Sequence, residues 1–208
     1  MTTNTLPTRR VELVLDLICI HSYLGFVRLS RAVERYRDQG GEVRIVFRPF
    51  QVAPDAPAEG KPLFDVHREA FGEEQARAIA EDTSFGAEDG IEAHFEKAVH
   101  VNTFEAHRLL AAAAEQGRGE QMAERLFRAY LTDGLNIGDA DTLRRLATEA
   151  GAEPAEGGAE ELRAGLAEIR RAGVTAVPLF LFDTGRTISG AQSEETFSKA
   201  LRAPAGKD

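Results

Sequence analysis

The sequence predicts a mixed α/β fold in which β-structure sits at both ends of the chain and helices fill the middle. Three observations predict it. Val11 to Cys19 is dense in Val, Leu and Ile and reads as a buried strand. The stretch from Leu63 to Arg171 has helical character and few β-branched runs. VPLFLFDTGRTIS, Val177 to Ser189, turns at Asp183-Thr184-Gly185 between two β-like halves, which is a hairpin pattern. The expected order is βαβ, a helical insertion, then ββα.

From His21 the period changes. Tyr23, Phe26, Val27, Leu29, Ser30, Val33 and Tyr36 fall at three- and four-residue steps and form a helical stripe. Asp38-Gln39-Gly40-Gly41 ends it. EVRIVFRPF, Glu42 to Phe50, alternates and reads as a second strand, parallel to the first through a right-handed crossover. Pro49, Pro54 and Pro57 then mark a loop. In the middle, FEAHRLLAAAAEQG has Thr103 as N-cap and Gly117 as stop, and EQMAERLFRAYLTDG ends at Gly134. Asp139 caps ADTLRRLATEAG, and EELRAGLAEIRRAG places Arg170 and Arg171 at its negative C-terminal end. AEPAEGGAE between them reads as a turn or the poor start of the next helix. Ser193 caps a last helix running to Leu201, and the tail Ala203 to Asp208 is expected to fray. Residues 8–62 and 173–203 are thus expected to form the α/β domain, with 63–172 as the insertion.

Composition excludes several functions. The chain has 208 residues, one cysteine, 43% hydrophobic residues and a formal net charge of −9. One cysteine builds neither a disulfide framework nor a multi-cysteine zinc site. The negative charge argues against a nucleic-acid partner, and the apolar fraction against disorder. Arg9-Arg10 before VELVLDLICI imitates a signal peptide, but Glu12 and Asp16 interrupt the run and no small-residue cleavage site follows. No run of about 18 apolar residues occurs, so no membrane span is expected. The expected compartment is the cytoplasm, where a thiol stays reduced. His67, His94 and His100 are scattered without metal-ligand spacing, so no metal site is expected.

Cys19 is the most informative residue. It stands where the first strand gives way to the first helix. The unpaired N–H groups and partial positive charge of a helix N-terminus favour a thiolate. His21 at the same helix start stabilises that thiolate if protonated and accepts the thiol proton if neutral. Ser22 is close enough to donate a hydrogen bond to the sulfur. The competing reading is a small, inert core residue. Far along the chain, Ala176-Val177-Pro178 precedes LFLF. Proline at a strand start is confined to an edge or terminal position and biases Val177 away from helix. This bond is a candidate cis peptide, the alternative being a trans proline that only stops the preceding helix.

Four stretches carry a resemblance: DLICIHSYLGF (Asp16 to Phe26), VFRPFQVAPDAP (Val46 to Pro57), VNTFEAHRLL (Val101 to Leu110) and GVTAVPLFLFDTGRTISGAQ (Gly173 to Gln192). Together and in this order the chain resembles the DsbA-like thiol oxidoreductase family, within it the FrnE-like and kappa-class glutathione transferase branch. The resemblance implies a thioredoxin fold split by a helical insertion domain. It implies that Cys19 is the nucleophile, matching the first cysteine of Cys-X-X-Cys, and that Pro178 is the cis-proline facing it. Val177 would offer its backbone to the substrate. Asn102, Thr103 and His107 match a motif on the insertion that walls the cleft.

One departure is decisive. Ser22 stands where the family's second, resolving cysteine would be, and the chain has no other thiol. An intramolecular disulfide cannot form. What remains is monothiol exchange, in which Cys19 enters a mixed disulfide that an external thiol releases. The expected substrate is a thiol or disulfide: glutathione, another low-molecular-weight thiol, or a protein cysteine. No covalently bound cofactor is expected. A second reading is kappa-class-like transferase or hydroxychromene carboxylate-type isomerase chemistry, with Cys19 and Ser22 holding a cofactor thiolate. A third is a non-catalytic binding module. The resemblance is compatible with a homodimer.

Overall fold

The protein is described from a computed structural model covering residues 6–154 and 156–204. Strand β1 (Thr8–Leu15) runs up the centre of the sheet, and Val11, Leu13 and Leu15 are fully buried. Helix α1 (Ile20–Asp38) buries Tyr23, Phe26, Leu29, Val33 and Tyr36, the stripe visible in the sequence. Tyr36 reaches back to donate to the Pro7 carbonyl at 2.8 Å. A Cβ at Gly41 would run into the Tyr36 ring, so glycine lets the chain turn tightly into β2 (Glu42–Pro49). β2 lies parallel to β1, with Val11 opposite Ile45 and Leu13 opposite Phe47.

The first strand is shorter than the sequence suggested. It ends at Leu15, and Asp16 to Cys19 form a turn closed by the Cys19 N–H on the Asp16 carbonyl at 3.1 Å. The apolar residues Leu17 and Ile18 prolong the strand-like pattern, but the Asp16 side chain binds backbone elsewhere and stops the ladder.

The segment from Leu63 to Arg171 holds α2 (Leu63–Phe71), α3 (Glu73–Glu81), α4 (Phe104–Glu115), α5 (Gly119–Leu131), α6 (Ala140–Glu149) and α7 (Ala159–Arg171). It is not helical throughout. Strand β4 (Val99–His100) pairs antiparallel with β3 (Lys61–Pro62), which lies just before the segment, and single 3-10 turns span Ala87–Asp89 and Phe95–Lys97. Gly86 and Gly90, with φ of 77° and 76°, fold the first of these turns. Asp139 caps α6 by accepting from the Thr142 N–H at 2.8 Å. Thr103 stands at the start of α4 but makes no cap bond. Asn102 Oδ1 accepts from the Phe104 N–H instead, at 2.9 Å.

The chain returns as the hairpin β5 (Leu179–Phe182) and β6 (Thr187–Ser189), with β5 antiparallel to β1, so the sheet order is β2-β1-β5-β6. Helix α8 (Glu194–Arg202) is capped by Ser193 and packs Phe197 edge-on against Phe180 at 4.6 Å between ring centres. Buried Arg9 donates to the carbonyls of Leu201 (2.9 Å) and Ala203 (2.6 Å), fastening the end of α8 to β1. Ala203 is therefore held; the rest of the tail, 205–208, lies outside the described residues. Helix α5 leans on α1, with the Tyr23 and Phe127 rings stacked at 4.9 Å.

An Arg–Asp clasp fixes the segment after α3 to α1. Arg28 chelates the Asp89 carboxylate (shortest contact 2.6 Å) and also donates to the Ala191 carbonyl at 3.0 Å. Arg31 adds a bond to the Asp89 carbonyl oxygen at 2.6 Å. The Asp89 side chain is only 11% exposed, which limits screening. Its hydrogen bonds from Arg28 outweigh burial and hold the carboxyl below the usual range. The folded state thus favours ionised Asp89. This stabilisation is complete above the unfolded carboxyl value of about 3.9 and is lost as pH falls through the lower folded value. Asp89→Ala should cost about 1–3 kcal/mol at pH 7, and its stability gap to the parent should begin to narrow below about pH 4 and close only past the lower folded value, as read from urea midpoints.

Candidate active site

Cys19 is the N-cap of α1, with φ −91° and ψ 112°, and it is half-buried. No side chain caps this helix, and its first turn carries no acidic residue. By contrast, α3, α6 and α8 each place Asp or Glu in the first turn. The positive end of α1 is therefore left for the sulfur. Across from it, the Val177–Pro178 peptide bond is cis, and the Cys19 thiol lies 3.8 Å from the Val177 carbonyl oxygen. Residues 158 positions apart in sequence meet here.

Gly25, on α1, makes that meeting possible. A Cβ there would stand 3.1 Å from Pro178 Cγ and 2.9 Å from Phe180 Cζ, so a larger residue would push the prolyl loop off the helix. The Gly190 N–H holds the loop from the other side, on the Pro178 carbonyl at 2.9 Å.

The remaining expected residues are placed differently. His21 is exposed and sets its ring edge-on to Phe85 at 4.9 Å, with no bond to Cys19. Ser22 is fully buried, and its Oγ accepts the Asp16 N–H at 3.4 Å. The expected Ser22–Cys19 hydrogen bond is not formed, because the turn between β1 and α1 draws the hydroxyl to its own backbone. Asn102 makes three bonds: Oδ1 accepts from Gln51 Nε2 (2.9 Å) and from the Phe104 N–H, and Nδ2 donates to the Pro54 carbonyl (2.6 Å). His107 is 3% exposed. Its Nε2 lies 2.9 Å from the Phe50 carbonyl oxygen and 3.3 Å from Asp16 Oδ1. A carbonyl only accepts, so Nε2 carries the hydrogen. Asn102 and His107 both fasten the loop after β2.

Sequence reasoning missed Asp16. It is fully buried, and its Oδ2 accepts the Val52 N–H at 2.6 Å while Oδ1 meets His107. Through these bonds it ties the Cys19 turn to the loop Phe50–Ala53 and to α4. The available signal was an acid inside an apolar run, which is costly unless its oxygens are used. Val52, 56% exposed, is an apolar residue presented beside this turn.

The other histidines form no ligand set. Burial pushes His67 down; burial, then the charges of Lys61 and His67, push His100 down. Among the described residues no three His, Cys, Asp or Glu side chains group to hold a metal, and no helix is long and apolar enough to cross a membrane.

The chain that carries this site is similar to known proteins. The model of the DSBA-like thioredoxin domain family matches residues 10–202. The protein YwbO of Bacillus subtilis (strain 168), described as uncharacterized, is 27% identical over 206 residues, covering 93% of this chain and 96% of that protein. The crystal structure of a probable DsbA oxidoreductase, SCO1869 of Streptomyces coelicolor, superposes with a TM-score of 0.80 at 30% identity, covering 96% of this chain and 94% of that one. The structure of a 2-hydroxychromene-2-carboxylate isomerase shares the fold at a TM-score of 0.61 and 12% identity, over 88% of this chain and 89% of that one. The chain belongs to the DSBA-like thioredoxin domain family.

Proposed function

We propose that the protein is a monothiol thiol–disulfide oxidoreductase with Cys19 as its nucleophile. The observation that carries this reading is the position of the only cysteine, half-exposed at the uncompensated N-terminus of α1 and 3.8 Å from the Val177 carbonyl. An inert core cysteine has no need of that place.

The Cys19 thiolate attacks one sulfur of a disulfide R–S–S–R′. The Cys19–S–S–R bond forms as the old S–S bond breaks, and the electron pair leaves on R′–S⁻, which takes a proton from solvent. An external thiolate R″–S⁻ then attacks the R sulfur, releasing R–S–S–R″ and restoring the Cys19 thiolate. The first-turn N–H groups of α1 stabilise the negative sulfur at both ends of the cycle. Val177 and Pro178 wall the partner's approach, and His21 meets it from the exposed rim. Ser22, Asn102 and His107 keep the turn and its neighbouring loop in place. Such a cycle suits a reducing compartment where small thiols are abundant.

The test is turnover of hydroxyethyl disulfide with and without added glutathione. Steady turnover only in the presence of glutathione is expected. No turnover under either condition contradicts the reading, and glutathione binding without exchange would point to transferase or isomerase chemistry.

A further inference from the structure

We propose that Arg28 is a positioning residue for disulfide exchange: its guanidinium ties together the two elements that border Cys19, the prolyl loop and the turn that carries Phe85. The inference rests on the exchange reading of Cys19 and names a group that sets the partner's approach without meeting the partner. Arg28 lies nine residues beyond Cys19 along α1, about 13 Å at about 1.5 Å per residue. Its donors are committed to protein atoms, so it acts through others.

On one side, Arg28 Nη1 donates to the Ala191 carbonyl at 3.0 Å. The preceding residue, Gly190, donates its N–H to the Pro178 carbonyl at 2.9 Å. Pro178 follows Val177, whose own carbonyl oxygen lies 3.8 Å from the Cys19 sulfur. Three successive contacts thus lead from Arg28 to the loop that faces the thiol.

On the other side, Arg28 Nε and Nη2 hold Asp89 Oδ2 at 3.0 and 2.6 Å. Asp89 ends a tight turn in which its own N–H and that of Ile91 both donate to the Gly86 carbonyl, at 2.9 and 3.0 Å. Phe85 enters that turn directly before Gly86. Its ring meets the exposed His21 ring edge-on at 4.9 Å, and His21 stands two residues after Cys19. Where Asp89 is held therefore decides where Phe85 meets His21.

A clasp that served stability alone would need only the Asp89 contacts. Arg31 already supplies some, bonding Asp89 Oδ1 at 3.1 Å and the Asp89 carbonyl at 2.6 Å. Arg28 instead divides its fork between Asp89 and a carbonyl 163 residues away in sequence. That division is what joins the two borders.

The experiment compares Arg28→Met and Arg28→Lys with the parent in two reactions of Cys19, at a temperature where circular dichroism shows each protein folded. Iodoacetamide needs only the sulfur at the helix end; glutathione disulfide must also fit between the borders. Arg28→Met should react about tenfold more slowly with glutathione disulfide and within about twofold of the parent with iodoacetamide, since a misplacement of about 1 Å costs up to about a hundredfold. Lysine offers a point charge in place of a fork, so it pairs with Asp89 and releases Ala191. Arg28→Lys should lose about fivefold in exchange, again with alkylation unchanged. A residue that serves stability alone would lower the unfolding midpoint and leave both rates at the parent's values. That outcome overturns the role of Arg28, as does equal slowing of both reactions. If Arg28→Met does not fold, Arg28→Lys decides by the same two rates. A parent that is alkylated but does not exchange removes the exchange reading, and this inference with it.

Discussion

Cys19→Ala reduces exchange with any disulfide to the uncatalysed rate, while the fold survives. The sulfur is half-buried and makes one weak contact, to the Val177 carbonyl, so its loss should cost about 1 kcal/mol or less in urea unfolding. Activity and stability thus separate, as expected of a group placed for chemistry. A companion variant sharpens the point. Ser22→Cys puts a second thiol one helical turn from the first. Treated with glutathione disulfide, the parent should keep one glutathionyl group. The S22C protein should instead attack its own mixed disulfide, release that group as glutathione and finish with an internal disulfide. Retention of the adduct by S22C would show that position 22, facing the Asp16 N–H, cannot reach Cys19.

Asp16→Ala produces the largest loss of stability outside the deep core, about 3 kcal/mol. The Val52 N–H loses its 2.6 Å acceptor and His107 Nε2 loses one of two. A buried donor without an acceptor costs its full desolvation. Because the same carboxylate ties the turn beneath Cys19 to the loop after β2, exchange should fall as well, although Asp16 itself does not meet the partner. Asp16→Asn separates the two bonds. It keeps an acceptor for Val52 but turns an NH₂ donor toward the Nε2–H of His107, so an intermediate loss is expected. An alanine variant as stable as the parent would contradict this role.

The parts of the molecule that sequence reveals are those decided within a few residues. Asp139 and Ser193 were readable as caps because the N–H each accepts lies three residues ahead. Cys19 was readable because a strand meets a helix at it. The pairing of β3 with β4 was not, since two-residue strands are set by what packs around them and not by propensity. Asp16 was passed over for the same reason: its partner His107 is 91 residues away, and nothing near Asp16 distinguishes a structural carboxylate from an interruption in an apolar run. Ser22 shows the reverse error. Adjacency to Cys19 suggested a bond between them, and the backbone of the intervening turn took the hydroxyl instead.

Time-resolved intact-mass spectrometry of the native protein mixed with glutathione disulfide, then with excess reduced glutathione, addresses the role of Cys19 most directly. One glutathionyl group should appear on Cys19 faster than on the urea-unfolded chain and then disappear as free thiol is added. A native protein that gains no adduct, while the unfolded chain is modified to completion, would contradict it.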